Sequence, residues 1–171
     1  MVVTPAWRQM REDDLAEVLG LANAVHEDLP ESEAVFAERL SLFPRGCLVL
    51  SGDREISGYA VSHPIRRFHP PALDTMLGAL PEDADDYYIH DFVVAPQHRG
   101  SGHAAEGVKQ LLAMAQRYET TSLISVHGTA KFWMRFGFTA AGESMRERLL
   151  PYGVHATYML RQRTSRWQTT V

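Results

Sequence analysis

The sequence predicts an α/β fold built on a mixed β-sheet of about seven strands flanked by about four helices. Three observations carry that expectation. Apolar residues recur at helical spacing in four separate stretches, after Asp14, Glu31, Gly102 and Gly128. Between and around them lie short aliphatic and aromatic runs bounded by Gly, Pro and Asp, the pattern of strands. One such run, 86–95, passes through a glycine-punctuated turn directly into a helix.

Taken in order, residues 2–10 read as a first strand that ends at Arg11-Glu12-Asp13-Asp14, where an aspartate can cap the helix that follows. Leu15, Val18, Leu19, Ala22 and Val25 share one face of that helix. Pro30 and Glu31 open a second, shorter helix, with Val35, Phe36 and Leu40 in step. The runs 46–50 and 56–62 flank Gly52-Asp53-Arg54-Glu55 and read as a hairpin. Residues 64–86 hold four prolines (Pro64, Pro70, Pro71 and Pro81) and an apolar patch from Leu73 to Leu80. So long a connection is expected to be functional or to carry a short helix. Strand 86–95 then leads to a helix over 102–117 with Ala105, Val108, Leu111, Leu112 and Ala115 facing inward. Residues 123–126 form a short buried strand, and a helix over 129–136 runs into Gly137, a good C-cap. Two last strands, 138–150 and 154–161, are separated by Pro151-Tyr152-Gly153, and the polar tail from 162 is expected to fray.

Bulk properties narrow the function classes. A length of 171 residues fits one domain spanning 1–171, and 45% hydrophobic residues suffice for a core. A net charge of −4 argues against nucleic-acid binding by bulk electrostatics. The single Cys47 leaves no internal disulfide and fits a reducing cytoplasm; inside an apolar run it reads as inert core. Met1-Val2-Val3-Thr4-Pro5 lacks a basic segment followed by an apolar one, so no signal peptide is expected. No apolar run reaches the roughly eighteen residues of a membrane span, so no membrane association is expected.

The turn Gln97-His98-Arg99-Gly100-Ser101-Gly102 carries the functional reading. A strand, a glycine turn and a helix N-terminus together make a phosphate site, because first-turn N–H groups point outward and the helix dipole adds positive charge. No Lys-Ser or Lys-Thr follows the glycines, so the turn is not a Walker loop. Gly100-Ser101-Gly102-His103-Ala104-Ala105, with Glu119 further on, matches the dinucleotide fingerprint only weakly, and no βαβ alternation precedes it.

Gln97-x-x-Gly100-x-Gly102 after a hydrophobic strand and a proline resembles the acetyl-CoA pyrophosphate loop of the GNAT superfamily of N-acetyltransferases. Downstream, Phe132-Trp133-Met134-Arg135-Phe136-Gly137-Phe138 resembles that superfamily's second signature, an aromatic helix ending in Gly-Phe. The resemblance implies a sheet splayed at its centre and acetyl-CoA as co-substrate, with no metal. Cofactor contacts would fall on Phe92, Val93, Val94, Gln97, His98, Arg99, Gly100, Ser101, Gly102, His103, Ala104 and Trp133. Backbone of Phe92, Val93 and Val94 would pair with the pantetheine amides and stabilise an oxyanion. Arg99 would pair with phosphate.

His90 and Asp91 are the candidates for general base, and as strand neighbours they should point to opposite faces, so at most one meets the acetyl group. The structural alternative is that His90 hydrogen-bonds within the sheet and Asp91 caps a loop. Trp133 occupies the position where many GNAT enzymes carry a proton-donating Tyr, and an indole N–H does not ionise usefully. The acid would then be Tyr87, Tyr88, Tyr152, His127 or a water. His63, His69, His98 and His103 lack metal-ligand spacing. The cluster Glu82-Asp83-Asp85-Asp86 is either a solvated face or an attractor for a cationic amine. The implied activity is direct acetyl transfer to a primary amine: a small amine, an amino acid derivative or a protein N-terminus. The alternative is a non-catalytic acyl-CoA-binding or sensor domain. Edge-paired dimers are frequent in the superfamily, so a homodimer is a further implication.

Overall fold

The computed structural model describes residues 3–53 and 55–164. Among them, strands β1 (Ala6–Gln9), β2 (Cys47–Ser51), β3 (Ile56–Ile65), β4 (Asp86–Val94), β5 (Thr120–Ser125), β6 (Thr139–Ala140) and β7 (Thr157–Gln162) form one sheet in the order β1-β2-β3-β4-β5-β7-β6. The helices are α1 (Leu15–Val25), α2 (Glu33–Leu42), α3 (His103–Ala115), α4 (Ala130–Met134) and α5 (Arg146–Leu149). β4 and β5 run parallel, because α3 carries the chain back between them; the other neighbouring pairs are antiparallel.

Strand alternation divides the core between the two faces of the sheet. Cys47 and Val49 face the α1/α2 side with Val18, Phe36 and Tyr59. Leu48 and Leu50 face the α3 side with Val108 and Leu111. Because helices cover both faces, β2 and β3 read as continuous apolar runs rather than alternating ones. Pro64 falls past the last β2–β3 pair, Cys47 with Val61, where β3 has a free edge that tolerates a missing N–H. Helix α3 lies tight against the sheet: Trp7 Nε1 donates to the His103 carbonyl at 2.7 Å. A Cβ on Gly107 would come within 2.6 Å of the Trp7 ring, so the approach requires a residue without one.

The sequence expectation holds for the element order and fails at two strand boundaries, and of the two readings of the 64–86 connection the short helix is not found. The strand expected over 138–150 pairs only at Thr139–Ala140; the chain then turns through a 3-10 segment (Glu143–Met145), α5 and a second 3-10 segment (Leu150–Tyr152). Glu143-Ser144-Met145-Arg146-Glu147-Arg148 has neither alternation nor β-branched residues, and helix-forming side chains dominate it. The strand expected over 123–126 begins earlier, at Thr120, through three polar residues that are all buried. There, the Thr120 and Ser122 hydroxyls donate to the Asp86 carboxylate, so the polar residues satisfy a buried acid. The connection after β3 contains no helix; it folds over α2, where Leu77 and Gly78 N–H groups donate to Glu38. Asp14 stands at the N-cap of α1 but its side chain does not cap that helix: the carboxylate turns back to accept from Arg11 N–H at 2.7 Å and from the Arg8 guanidinium, which holds its pKa below the usual carboxylate range. The hairpin tip at Arg54 and the tail beyond 164 lie outside the described residues.

The Trp7 contact yields a test. Gly107→Val hardly changes helix propensity but forces branched carbons into the indole. Its urea midpoint should fall by an amount equivalent to about 1–3 kcal/mol, the usual cost of overpacking. An unchanged midpoint would mean that α3 can lift from the sheet freely.

Candidate active site

After Val94 the chain turns through Pro96–His98 and enters α3 at His103. Gly100 and Gly102 hold φ of +83° and +84°, and nothing lies within 4 Å of where a Cβ on either would sit. Glycine is therefore needed for the left-handed backbone, and the space above the turn is open. Arg99 Nε donates to the Val94 carbonyl at 3.0 Å, tying the turn to the end of β4 and leaving the terminal guanidinium nitrogens free of that bond.

Beside this turn the sheet opens. β4 pairs with β5 from Asp86–Thr120 to Ile89–Leu123 and no further. From Asp91 to Val94, β4 keeps its β3 partners and has none on the β5 side, and His90 is unpaired on both. The gap widens into a cleft of about 800 Å³ lined by Phe92, Val93, Val94, Arg99, Gly100 and Gly102, among others. One wall is aromatic. Trp133, buried to 6% exposure, packs at ring distances of 5.7 Å from Phe92, 5.0 Å from Phe132 and 5.5 Å from Phe138.

The end of the cleft away from the turn gathers acid–base groups. The β3–β4 register slips by one residue, with Val61 opposite Asp91 and Ser62 opposite Ile89, so His90 is the extra residue of a β-bulge. A bulge places two consecutive side chains on one face. His90 and Asp91 accordingly both point to the α1/α2 side and both line the cleft, which corrects the expectation that they diverge. His90 Nε2 lies 2.7 Å from Glu31 Oε1, and Asp91 Oδ1 lies 3.0 Å from His26 Nε2. The second Asp91 oxygen accepts from the Tyr59 hydroxyl. His127 stacks on His26 at 5.6 Å and reaches Asp28 at 3.4 Å.

Burial would lower the His26 pKa, but the hydrogen bond to Asp91 and the charges of Asp91, Asp28 and Glu31 outweigh it and raise it. Burial likewise pushes Asp91 up, and His26 and Tyr59 more than reverse this, leaving it low. The two form an imidazolium–carboxylate pair. His63, whose ring is 6.0 Å from that of His90, is pushed down to about 3 by burial and then by His90, so it stays neutral. Burial, with the negative charge of Glu31 beside it, takes the Tyr152 hydroxyl up to about 12, so it keeps its proton at neutral pH.

The family model described as Acetyltransferase (GNAT) family matches residues 6–138. The chain belongs to the GNAT family. Among curated proteins, none matches it in sequence. Solved structures share the fold at low identity. Ard1 from Thermoplasma volcanium is 14% identical, with 95% of this chain and 100% of that one covered at a TM-score of 0.71. The GphF GNAT-like decarboxylase, in complex with isobutyryl-CoA, is 18% identical over 93% and 100% of the two chains at 0.76. Arabidopsis thaliana Naa50, in complex with the bisubstrate analogue CoA-Ac-MVNAL, is 14% identical over 94% and 99% at 0.67.

Within the GNAT fold the expected cofactor residues separate into two groups. Phe92, Val93, Val94, Arg99, Gly100, Gly102, Ala104 and Trp133 line the cleft; the side chains of Gln97, His98, Ser101 and His103 do not. His98 instead faces Glu55 at 3.4 Å, and the His103 carbonyl is taken by Trp7. Among the expected acids, Tyr87 turns to the other face, hydrogen-bonded to Ser62 and Met114, whereas Tyr88, Tyr152 and His127 line the cleft. The acidic run Glu82–Asp86 stays off the cleft: Asp83 pairs with Arg66, Asp85 accepts from Arg67 N–H, and Asp86 is buried. Sequence reasoning missed His26, Glu31 and Tyr59. The only trace of the first two is His26-Glu27-Asp28-Leu29-Pro30-Glu31, titratable groups massed just where a helix must end. Among the described residues no three His, Cys, Asp or Glu converge as metal ligands.

The His26–Asp91 pair sets a pH signature. Because folding raises the His26 pKa above its ordinary 6.5, this group adds stability in full below 6.5 and loses it as pH climbs through the folded value. His63 acts in reverse, withdrawing stability as pH drops below 6.5 toward 3. In a proton NMR titration, the His26 ring should show a midpoint above 6.5 that falls in Asp91→Asn, and His63 should not titrate before acid unfolding. A His26 midpoint below 6.5 in the unaltered protein would break the assignment of the ion pair.

Proposed function

We propose that this GNAT protein is an acetyl-CoA-dependent N-acetyltransferase that moves the acetyl group directly to a primary amine, with no covalent enzyme intermediate. The observation that carries the reading is the parting of β4 from β5 beside an open glycine turn, with paired imidazoles and carboxylates lining the same cleft. The structural neighbours that hold isobutyryl-CoA and a CoA–peptide bisubstrate analogue support an acyl-CoA ligand.

Acetyl-CoA supplies a thioester carbonyl and a thiolate leaving group. The backbone N–H groups from Gly100 to Ala104, at the N-terminus of the thirteen-residue α3, are arranged for its pyrophosphate, with Arg99 beside them. The unpaired edge of Phe92, Val93 and Val94 offers the pantetheine amides a strand to join and the oxyanion its donors. His90, with Nε2–H donating to Glu31, keeps its Nδ1 lone pair for the proton of the attacking amine. Asp91, committed on both oxygens, serves by holding His26 charged. Tyr152, which lines the cleft and holds its proton, supplies the acid that Trp133 lacks. The wall around Trp133 excludes water from the thioester.

Calorimetry with acetyl-CoA, CoA and ATP, followed by thiol release over an amine panel, tests the reading. Gly102→Val, which cannot hold a φ of +84° without strain, should weaken CoA binding at least about tenfold. His90→Ala should lower kcat by roughly 10²–10⁴ while leaving acetyl-CoA affinity nearly intact. An unaltered rate removes His90 from the mechanism. Trp133 favours one rival, a non-catalytic acyl-CoA sensor; tight acetyl-CoA binding with no thiol release on any amine would select it.

A further inference from the structure

The ligand that would enter the acid–base end is not described by the family, but the charge distribution along the cleft restricts it. The fixed cations lining the cleft are Arg99, in the glycine turn, and Arg135, whose guanidinium lies 5.2 Å over the Phe132 ring on the α4 side. At the opposite end the charged groups are Glu31 against His90, Asp91 against His26, and Asp28 against His127 at its mouth. Among the described residues lining that end there is no Lys or Arg. Its remaining lining is Val25, Leu29, Leu73, Tyr88 and Tyr152, an apolar surface with two hydroxyls.

Resting on the acetyl-transfer reading, we infer that the acceptor is an apolar primary amine with no free carboxylate beside it: an arylalkyl amine, or an amino group whose neighbouring carboxyl is amidated. The Glu31 and Asp91 carboxylates on the lining, with exposed Asp28 beside His127, attract an incoming ammonium and repel an acid. The nearest guanidinium, Arg39, lies buried behind this lining and is paired with Glu38 at 2.6 Å and with the Thr75 carbonyl, and the His26 ring is held by Asp91. A carboxylate entering here would find its cationic partners already engaged, and a poorly paired buried charge is the kind of ligand a site rejects most strongly. The amine, in contrast, finds a partner. The His90 side chain, 3% exposed, has a buried Nδ1 with no hydrogen-bond partner among the described residues. Both oxygens of Glu31 are already used, by His90 Nε2 and by Asp74 N–H, so the neighbouring carboxylate keeps the imidazole oriented and does not compete for the amine.

Matched pairs test this on the full chain. Thiol release from acetyl-CoA is measured with tryptamine against tryptophan, and with phenylalaninamide against phenylalanine. The expected result is a kcat/KM at least about tenfold higher for the amine or amide than for the free acid in each pair. Leu73→Arg, which places a cation on the exposed connection at that end, should narrow the ratio several-fold. Equal or faster turnover of the free acids by the unaltered protein overturns this inference and leaves acetyl transfer standing. Absence of release from all four, with acetyl-CoA bound, overturns both.

Discussion

Strand β4 is hydrogen-bonded on both edges over its first half and on one edge over its second, and the functional half of the molecule depends on that asymmetry. Freeing four or five residues of central strand leaves backbone groups without partners in a protein interior, a costly arrangement unless something holds the strands apart. The paired half is fastened by a buried acid: Asp86 on β4 takes hydroxyl hydrogens from Thr120 and Ser122 on β5. Burial raises the Asp86 pKa, and the two hydroxyl bonds oppose that rise. The clamp sits at the end of the pair farthest from the opening, so it fixes where the strands meet without drawing together the residues that diverge.

The open half is held by packing. Phe92 stacks on Trp7 at 5.5 Å and meets Trp133 edge-on at 5.7 Å, while Trp133 also contacts Phe132 and Phe138. Each such contact contributes about 0.5–1.5 kcal/mol beyond the area it buries. The series runs from β1 through β4 to α4 and the start of β6, spanning the opening with rigid rings. In this setting Trp133 has a structural explanation that an acid-donating role would not provide. A tyrosine would fill less of the wall, and the proton donor can stand elsewhere on the cleft.

How much of this was legible in the chain follows from the range of the forces involved. The glycine turn, the amphipathic α3 and the continuous apolar run of β2 are local patterns, and the sequence announces them. Thr120 to Ser122 carry no apolar strand signal because their polarity answers Asp86, a residue 34 positions away from Thr120. The helical segment after Ala140 looked like a strand because a sheet edge was expected there, although its residues favour a helix. His26 and Glu31 were invisible as site residues for the same reason as Thr120: their partners, Asp91 and His90, are brought to them by folding. The bulge was the decisive omission, since a rule of strict alternation assigned His90 and Asp91 to opposite faces.

That bulge and the two carboxylate–imidazole contacts support each other. With a regular strand, one of His90 and Asp91 would turn toward the α3 side, among Ile89, Val94 and Trp133 in an apolar core. An imidazole or carboxylate there would be buried with no partner, at a cost of several kcal/mol. With the extra residue, both side chains reach the connection after α1, where His26 and Glu31 are the first and sixth of the seven residues between α1 and α2. Those contacts in turn pin the bulge from outside the sheet. The irregularity falls where the β4–β5 pairing stops, just after Ile89 with Leu123. The cluster of titratable side chains and the parting of the sheet therefore meet at one point, the additional residue His90 in the central strand.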